Sequence, residues 1–191
     1  MEQYKPDSRT RAADEEVPMS AADMKAATQY LTYTLGSEVF ALDIAKVREV
    51  LDYPMVTLVP NMPDFLLGVI NLRGTVVPVA DLRCKFRMEQ NERTVNTCVI
   101  ITEVNVDGDV TIVGVLADSV QEVMDLEPRQ IEPAPKIGTQ LKTDFIKGMG
   151  KRDDRFIIIL DIDRVFSADE LANVHTLSKE ASSPPPVCAT A

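Results

Sequence analysis

The sequence predicts a mainly β protein made of two related subdomains of about five short strands each, with short connecting helices and a C-terminal helix. Three observations carry that prediction. Apolar residues recur with period two in short runs bounded by Gly, Pro, Asn and Asp. Arg73-Gly74 and Asp107-Gly108 stand between β-branched runs, as two-residue hairpin turns do. The stretch Asp64-Phe65-Leu66-Leu67-Gly68 returns as Asp144-Phe145-Ile146-Lys147-Gly148, a shift of 144 − 64 = 80 positions.

Residues 1–27 are charged and Ala-rich without strand periodicity, and read as a flexible extension with a short helix after Ser20 (S-x-x-D with Asp23). In Gln29–Leu35, Leu31, Tyr33 and Leu35 share one face of a half-buried strand. Gly36-Ser37 turns it, and Glu38–Leu42 returns with Phe40 and Leu42 inward. Asp43 caps one helical turn, Ile44–Lys46, ahead of a short strand Val47–Leu51. A Pro-punctuated connection runs from Pro54 to Pro63, where Pro63-Asp64 has the form of a helix start. The apolar run Phe65–Leu72 breaks at Arg73-Gly74 and resumes at Val76, Val77 and Val79, a hairpin with Arg73 at its tip.

Beyond Asp81-Leu82-Arg83 and a polar loop Arg87–Asn96, Thr97–Val106 and Val110–Leu116 form a second such hairpin. Val120–Leu126 is a further strand. Residues 127–143, with Pro128, Pro133 and Pro135, read as a long extended loop. Phe145–Met149 and Phe156–Leu160 are the last strands, and Asp161–Phe166 is a short helix. Ser167 and Glu170 form a capping box for a terminal helix carrying Leu171, Val174 and Leu177, followed by a Pro-rich tail. The core domain is therefore 28–166, with 167–191 as terminal helix and tail.

The repeat extends without gaps. The shift of 80 carries Asp81 onto Asp161 and Phe86 onto Phe166, and Val-Arg-Glu-Val at 47–50 is echoed by Val-Gln-Glu-Val at 120–123, a shift of 73. Duplication of one unit explains both. The tips differ: Asn71-Leu72-Arg73-Gly74 in the first copy, Lys151-Arg152-Asp153-Asp154 in the second. Arg73 taken alone is a solvated turn residue. A frame that recurs while its tip does not makes the first tip specialised.

Composition narrows function. The chain has 191 residues, a formal net charge of −10, 5% aromatic residues and no Trp. Such a surface disfavours nucleic acid and anionic lipid, and it offers few stacking platforms for bases. No signal peptide or transmembrane run is expected, and Cys84, Cys98 and Cys188 read as reduced thiols of a cytoplasmic protein. The one histidine, His175, lies on the predicted terminal helix outside the β-core, from where a triad would have to recruit it. There is no phosphate-binding glycine motif and no metal-ligand spacing, so no cofactor is expected. Asp81, Asp118 and Asp161 could be paired as acid and base, but each follows an apolar strand and precedes a turn, where capping is the simpler role. The profile suits a binding module.

Gly68-Val-Ile-Asn-Leu-Arg-Gly-Thr-Val-Val-Pro-Val-Ala-Asp-Leu-Arg83 resembles the signature of the CheW family of bacterial chemotaxis adaptors. Residues 34–50, 114–123 and 133–135 resemble further family segments in the expected order, so the resemblance covers about 28–166. The same module occurs in CheA kinases and CheV proteins, but residues 167–191 are too few for a receiver domain. The resemblance implies two intertwined five-stranded barrels (SH3-like) with an apolar groove between them, and no catalysis. It implies binding to the cytoplasmic tip of chemoreceptors and to the regulatory domain of the histidine kinase CheA, without membrane insertion, at the receptor array. By the same resemblance, Arg73, Glu49, Val47, Gly68, Ile70 and Asn71 form the contact region, with Glu49 accepting from Arg73. A coupling protein of another receptor–kinase pathway is one alternative. A small-ligand enzyme using the groove is another, and a nucleic-acid-binding barrel conflicts with the charge.

Overall fold

The computed structural model describes residues 27–134, 144–152 and 155–170. The first hairpin is β1 (Thr28–Leu35) and β2 (Glu38–Asp43), followed by a 3-10 turn Ile44–Lys46 and β3 (Val47–Asp52). Asp43 caps that turn by accepting from the Ala45 amide at 3.0 Å. The second hairpin is β4 (Leu66–Leu72) and β5 (Thr75–Asp81), running into α1 (Leu82–Phe86). Then come β6 (Cys98–Val106), β7 (Asp109–Ala117), β8 (Ser119–Leu126), β9 (Ile131–Glu132), β10 (Ile146–Arg152), β11 (Arg155–Leu160) and α2 (Ile162–Val165).

Two departures from expectation are local. Pro63-Asp64 does not start a helix; the Leu66 amide donates to the Pro63 carbonyl at 2.8 Å and closes a turn. The apolar, β-rich run that follows favours a strand over the helix that the dipeptide alone suggests. Within 127–143, a 3-10 turn at Pro128–Gln130 and the two-residue β9 interrupt the expected loop. Residues 135–143 lie outside the described residues, as do 1–26, Asp153-Asp154 and 171–191 with His175 and Cys188.

The strands assemble as β3-β6-β7-β5-β4 and as β8-β1-β2-β11-β10-β9. The duplication is legible in this order. Shifting β1, β2 and β3 by 73 lands on β6, β7 and β8, and shifting β4 and β5 by 80 lands on β10 and β11. Applied to the five-stranded order, these shifts give the first five strands of the other sheet. The extra member is β9, short enough to sit inside the predicted loop. Each copy lends its opening hairpin to the other's sheet: β6-β7 lies between β3 and β5, and β1-β2 between β8 and β11. The two subdomains are thus intertwined, through parallel pairs Val79↔Gly114 and Ile159↔Ala41 (114 − 41 = 73).

Hairpin registers repeat residue for residue. Leu66↔Ala80, Gly68↔Val79 and Ile70↔Val77 become Ile146↔Leu160, Gly148↔Ile159 and Gly150↔Ile157. The Asp81 amide donates to the Phe65 carbonyl at 2.7 Å, and the Asp161 amide to the Phe145 carbonyl at 2.8 Å. The halves pack across a core that includes Leu31, Tyr33, Leu42, Ile100, Val115 and Leu160. Phe86 of one copy stacks on Phe145 of the other at 4.6 Å, and Phe166 meets Phe65 at 6.2 Å in the mirrored contact. Such pairs add about 0.5–1.5 kcal/mol beyond area burial.

Burial at the joint includes charge. Arg83, 3% exposed, donates from Nη1 to Asp118 Oδ1 at 2.7 Å and from Nε to Asp81 Oδ1 at 3.4 Å. Asp118 Oδ2 accepts the Gly36 amide at 2.6 Å, tying the β1–β2 turn to the same cluster. Of the three carboxylates read as caps, Asp81 is one, accepting the Arg83 amide at 2.9 Å. Asp118 serves the ion cluster instead, and Asp161 has no side-chain cap bond and meets Arg164 Nε at 3.3 Å.

The capping box at 167–170 forms: Ser167 N–H donates to Glu170 Oε2 at 2.8 Å, and Glu170 N–H to Ser167 Oγ at 3.3 Å. Lys85 Nζ donates to Glu170 Oε1 at 2.7 Å and lies 4.2 Å from the Phe65 ring centre, so the folded core reaches past 166. Burial raises the Glu170 pKa, but the Lys85 and Ser167 hydrogen bonds outweigh it and hold the carboxyl below the ordinary glutamate range. A depressed folded pKa gives stability that is fully present above the unfolded value and is lost as pH falls through the folded one. Urea midpoints are therefore expected to fall on acidification across that window, with a smaller slope in Lys85→Met.

Candidate functional site: the Arg73 hairpin tip

The tip of β4-β5 is a two-residue turn in which both central residues are left-handed, Arg73 at φ 52 and Gly74 at φ 88, between the pair Leu72↔Thr75. This primed geometry matches the twist of antiparallel strands and favours Asn or Asp followed by Gly. The β6–β7 turn has the same form, with Asp107 at φ 54 and Gly108 at φ 92. An arginine at the first position is the unusual choice, since a left-handed L-residue costs about 1–2 kcal/mol.

What the arginine reaches is Glu49. Arg73 Nη2 donates to Glu49 Oε2 at 3.0 Å, with the guanidinium side chain 81% exposed and the glutamate 26%. These residues come from β4-β5 and β3, the two ends of the five-stranded order. They meet because the connection after β3 folds back along β4: Thr57 N–H donates to the Val69 carbonyl at 2.8 Å, and Val69 N–H to the Thr57 carbonyl at 2.9 Å. An ion pair this exposed contributes at most about 1 kcal/mol. Its effect is directional, holding a planar fork of donors at one place on the surface.

A family model described as the CheW-like domain matches residues 29–170. The chain belongs to the CheW-like family. It is 38% identical over 151 residues to a chemotaxis protein CheW of Klebsiella aerogenes, covering 79% of this chain and 89% of that one. It is 31% identical over 142 residues to a chemotaxis protein CheW of Rhizobium meliloti, covering 74% and 89%. The crystal structure of the scaffolding protein TtCheW from Thermoanaerobacter tengcongensis superposes with a TM-score of 0.67 at 30% identity, covering 84% of this chain and 96% of that one.

In this CheW-like chain the six residues expected at the contact region divide by accessibility. Arg73 and Asn71 are exposed, and Glu49 and Val47 are half-buried on β3. Val47 packs on the central core, next to an Arg48 Nε to Glu103 Oε1 bond of 2.5 Å. Gly68 and Ile70 are buried, Ile70 at 3% in the apolar cluster with Val77, Val79 and Leu116. They hold the hairpin from beneath and present no surface. Alternation explains this: Ile70 faces the barrel interior, and Gly68 lies under the Thr57 carbonyl.

Two exposed apolar residues escape the sequence reading. Met55 and Leu58, on the segment that pairs Thr57 with Val69, are 92% and 81% exposed. Their signal was present as apolar residues between prolines with no period to bury them. Side chains of the central cluster pack where the two halves meet. An open cavity on the other barrel, lined by Thr32, Val39, Glu122, Met124, Arg155 and Ile157, includes none of the six residues. Among the described residues no set of His, Cys, Asp and Glu could hold a metal ion, and no helix is long and apolar enough to cross a membrane.

Proposed function

We propose that this chain is a non-catalytic adaptor that couples the cytoplasmic tip of chemoreceptors to the regulatory domain of the histidine kinase CheA, at the receptor array. The observation that carries the reading is the exposed Arg73 guanidinium, oriented by Glu49 on a left-handed turn of a CheW-like domain. An arginine fork, with Met55 and Leu58 exposed on the segment that pairs with β4, suits a helical tip offering carboxylates or carbonyls together with apolar side chains. The carboxylates that an enzyme could use are otherwise engaged: Asp81 and Asp118 both bind Arg83.

Reconstitution with a receptor signalling fragment and a CheA kinase tests this, with phosphorylation as the readout. Arg73→Glu is expected to weaken receptor-dependent kinase control by on the order of tenfold or more, through like-charge repulsion, with an unchanged circular dichroism spectrum. Arg73→Glu combined with Glu49→Arg is expected to regain part of the control. A folded Arg73→Glu chain that still supports full control would overturn the reading.

A further inference from the structure

We propose that Asn71 is a positioning residue for Arg73: its side-chain carbonyl accepts the Gly74 amide and so holds Arg73 in the left-handed conformation from which the guanidinium meets Glu49. Asn71 Oδ1 accepts from Gly74 N–H at 2.8 Å. Asn71 is exposed, so neither burial nor packing demands an amide side chain there. The bond spans the turn from the strand residue before Leu72 to the second turn residue. Here it closes over Arg73 while that residue is left-handed.

The β6–β7 turn shows the same device independently. Asn105 Oδ1 accepts from Gly108 N–H at 3.2 Å, across Val106 and Asp107. Asn-x-x-Gly is thus a staple used at both turns, with φ of 54 at Asp107 and 52 at Arg73. Asp tolerates the left-handed region because its short polar side chain bonds locally. Arg has no such compensation, so the staple carries more of the conformational bias where Arg occupies the turn. Its loss frees Arg73 to leave φ > 0, which swings the side chain away from Glu49 even though neither charge is altered.

The inference rests on the receptor reading of Arg73 and reassigns Asn71 from contact to support. The test uses the full chain with a receptor fragment and CheA kinase, in parallel with amide exchange of Gly74 measured by NMR. Asn71→Ala is expected to speed Gly74 exchange and to weaken receptor-dependent kinase control, each about fivefold, the worth of one net hydrogen bond. Asn71→Asp keeps the acceptor oxygen and is expected to retain both within about twofold. Asn105→Ala, on the other hairpin, is expected to speed Gly108 exchange without touching kinase control.

Arg73→Ala separates the two levels. If it leaves kinase control intact, the receptor reading of Arg73 falls. If it abolishes control while Asn71→Ala leaves control or Gly74 exchange unchanged, the positioning role falls and the receptor reading stands. If Asn71→Asp fails as badly as Asn71→Ala, the amide nitrogen of Asn71 is a contact in its own right, and the positioning role is likewise overturned.

Discussion

An Arg83→Ala chain is expected to lose about 3–5 kcal/mol of stability, the cost of leaving buried carboxylate charge without its partner. That is a large share of the ~5–15 kcal/mol that a folded domain holds. Arg83 is 3% exposed and bonds Asp81 and Asp118, and Asp118 in turn holds the Gly36 amide. Truncation removes one charge and leaves two, Asp81 buried and Asp118 partly exposed. In urea the midpoint should fall by about 2 M, given slopes of ~1–3 kcal/mol/M. Arg48→Ala is the surface control: its pair with Glu103 is 53% and 37% exposed, so a loss of at most about 1 kcal/mol is expected. Combining Arg83→Met with Asp81→Asn and Asp118→Asn should recover much of the loss, because removing all the charges also removes the desolvation that the pairs offset. A loss below about 1 kcal/mol for Arg83→Ala would show that water reaches the cluster.

Gly68→Ala is the second large effect, at about 3 kcal/mol, and it strikes the site as well as the fold. Gly68 stands at φ +144, and a Cβ there would lie 2.3 Å from the Thr57 carbonyl oxygen and 2.8 Å from Val56 Cγ1. The nearer obstacle is backbone and cannot rotate aside. The strand segment at Thr57 must move off, which breaks both of its hydrogen bonds to Val69. Those bonds draw β3 toward β4, so Glu49 and Arg73 should separate and kinase control should weaken with stability. Gly74→Ala is the informative comparison. At φ +88 it meets nothing within 4 Å, so only conformational strain of about 1–2 kcal/mol is expected. Equal urea midpoints for the two variants would refute the steric account.

Much of this was legible in the residues. Period-two runs placed most strands within a residue or two, because one face of each packs on the core and the other does not. The repeat was visible at shifts of 80 and 73, and the change of shift between them falls in the connection between β8 and β10. The Arg73–Glu49 pairing came from the family resemblance, and the two side chains do meet. What was not legible is what depends on distant chain. Nothing in Asp81-Leu82-Arg83 says that the arginine points inward, since arginine is seldom buried and its partner Asp118 is 35 residues away. Ile70 and Gly68 share a motif with Arg73, but pleat direction and the Thr57 crossing bury them, and neither is readable from spacing to the tip. Asp161 shared a pattern with Asp81 and lacks the cap bond, because cap geometry depends on a side-chain rotamer that an apolar repeat does not specify.

The exchanged hairpins also impose an order in time. On a chain synthesised from its N-terminus, β1-β2 is complete at residue 43, yet its partner β11 ends at residue 160. The five-stranded barrel needs nothing beyond residue 117, so it is the first that can close. Until the last strands arrive, β2 waits with an open edge, in the state most prone to wrong pairing, while β8 covers β1. Val39 then finds Ile157 across 157 − 39 = 118 positions, a contact whose sequence separation makes closing the second barrel the slow event. The second barrel, which holds none of the Arg73 site, therefore sets how soon that site stands on a finished domain.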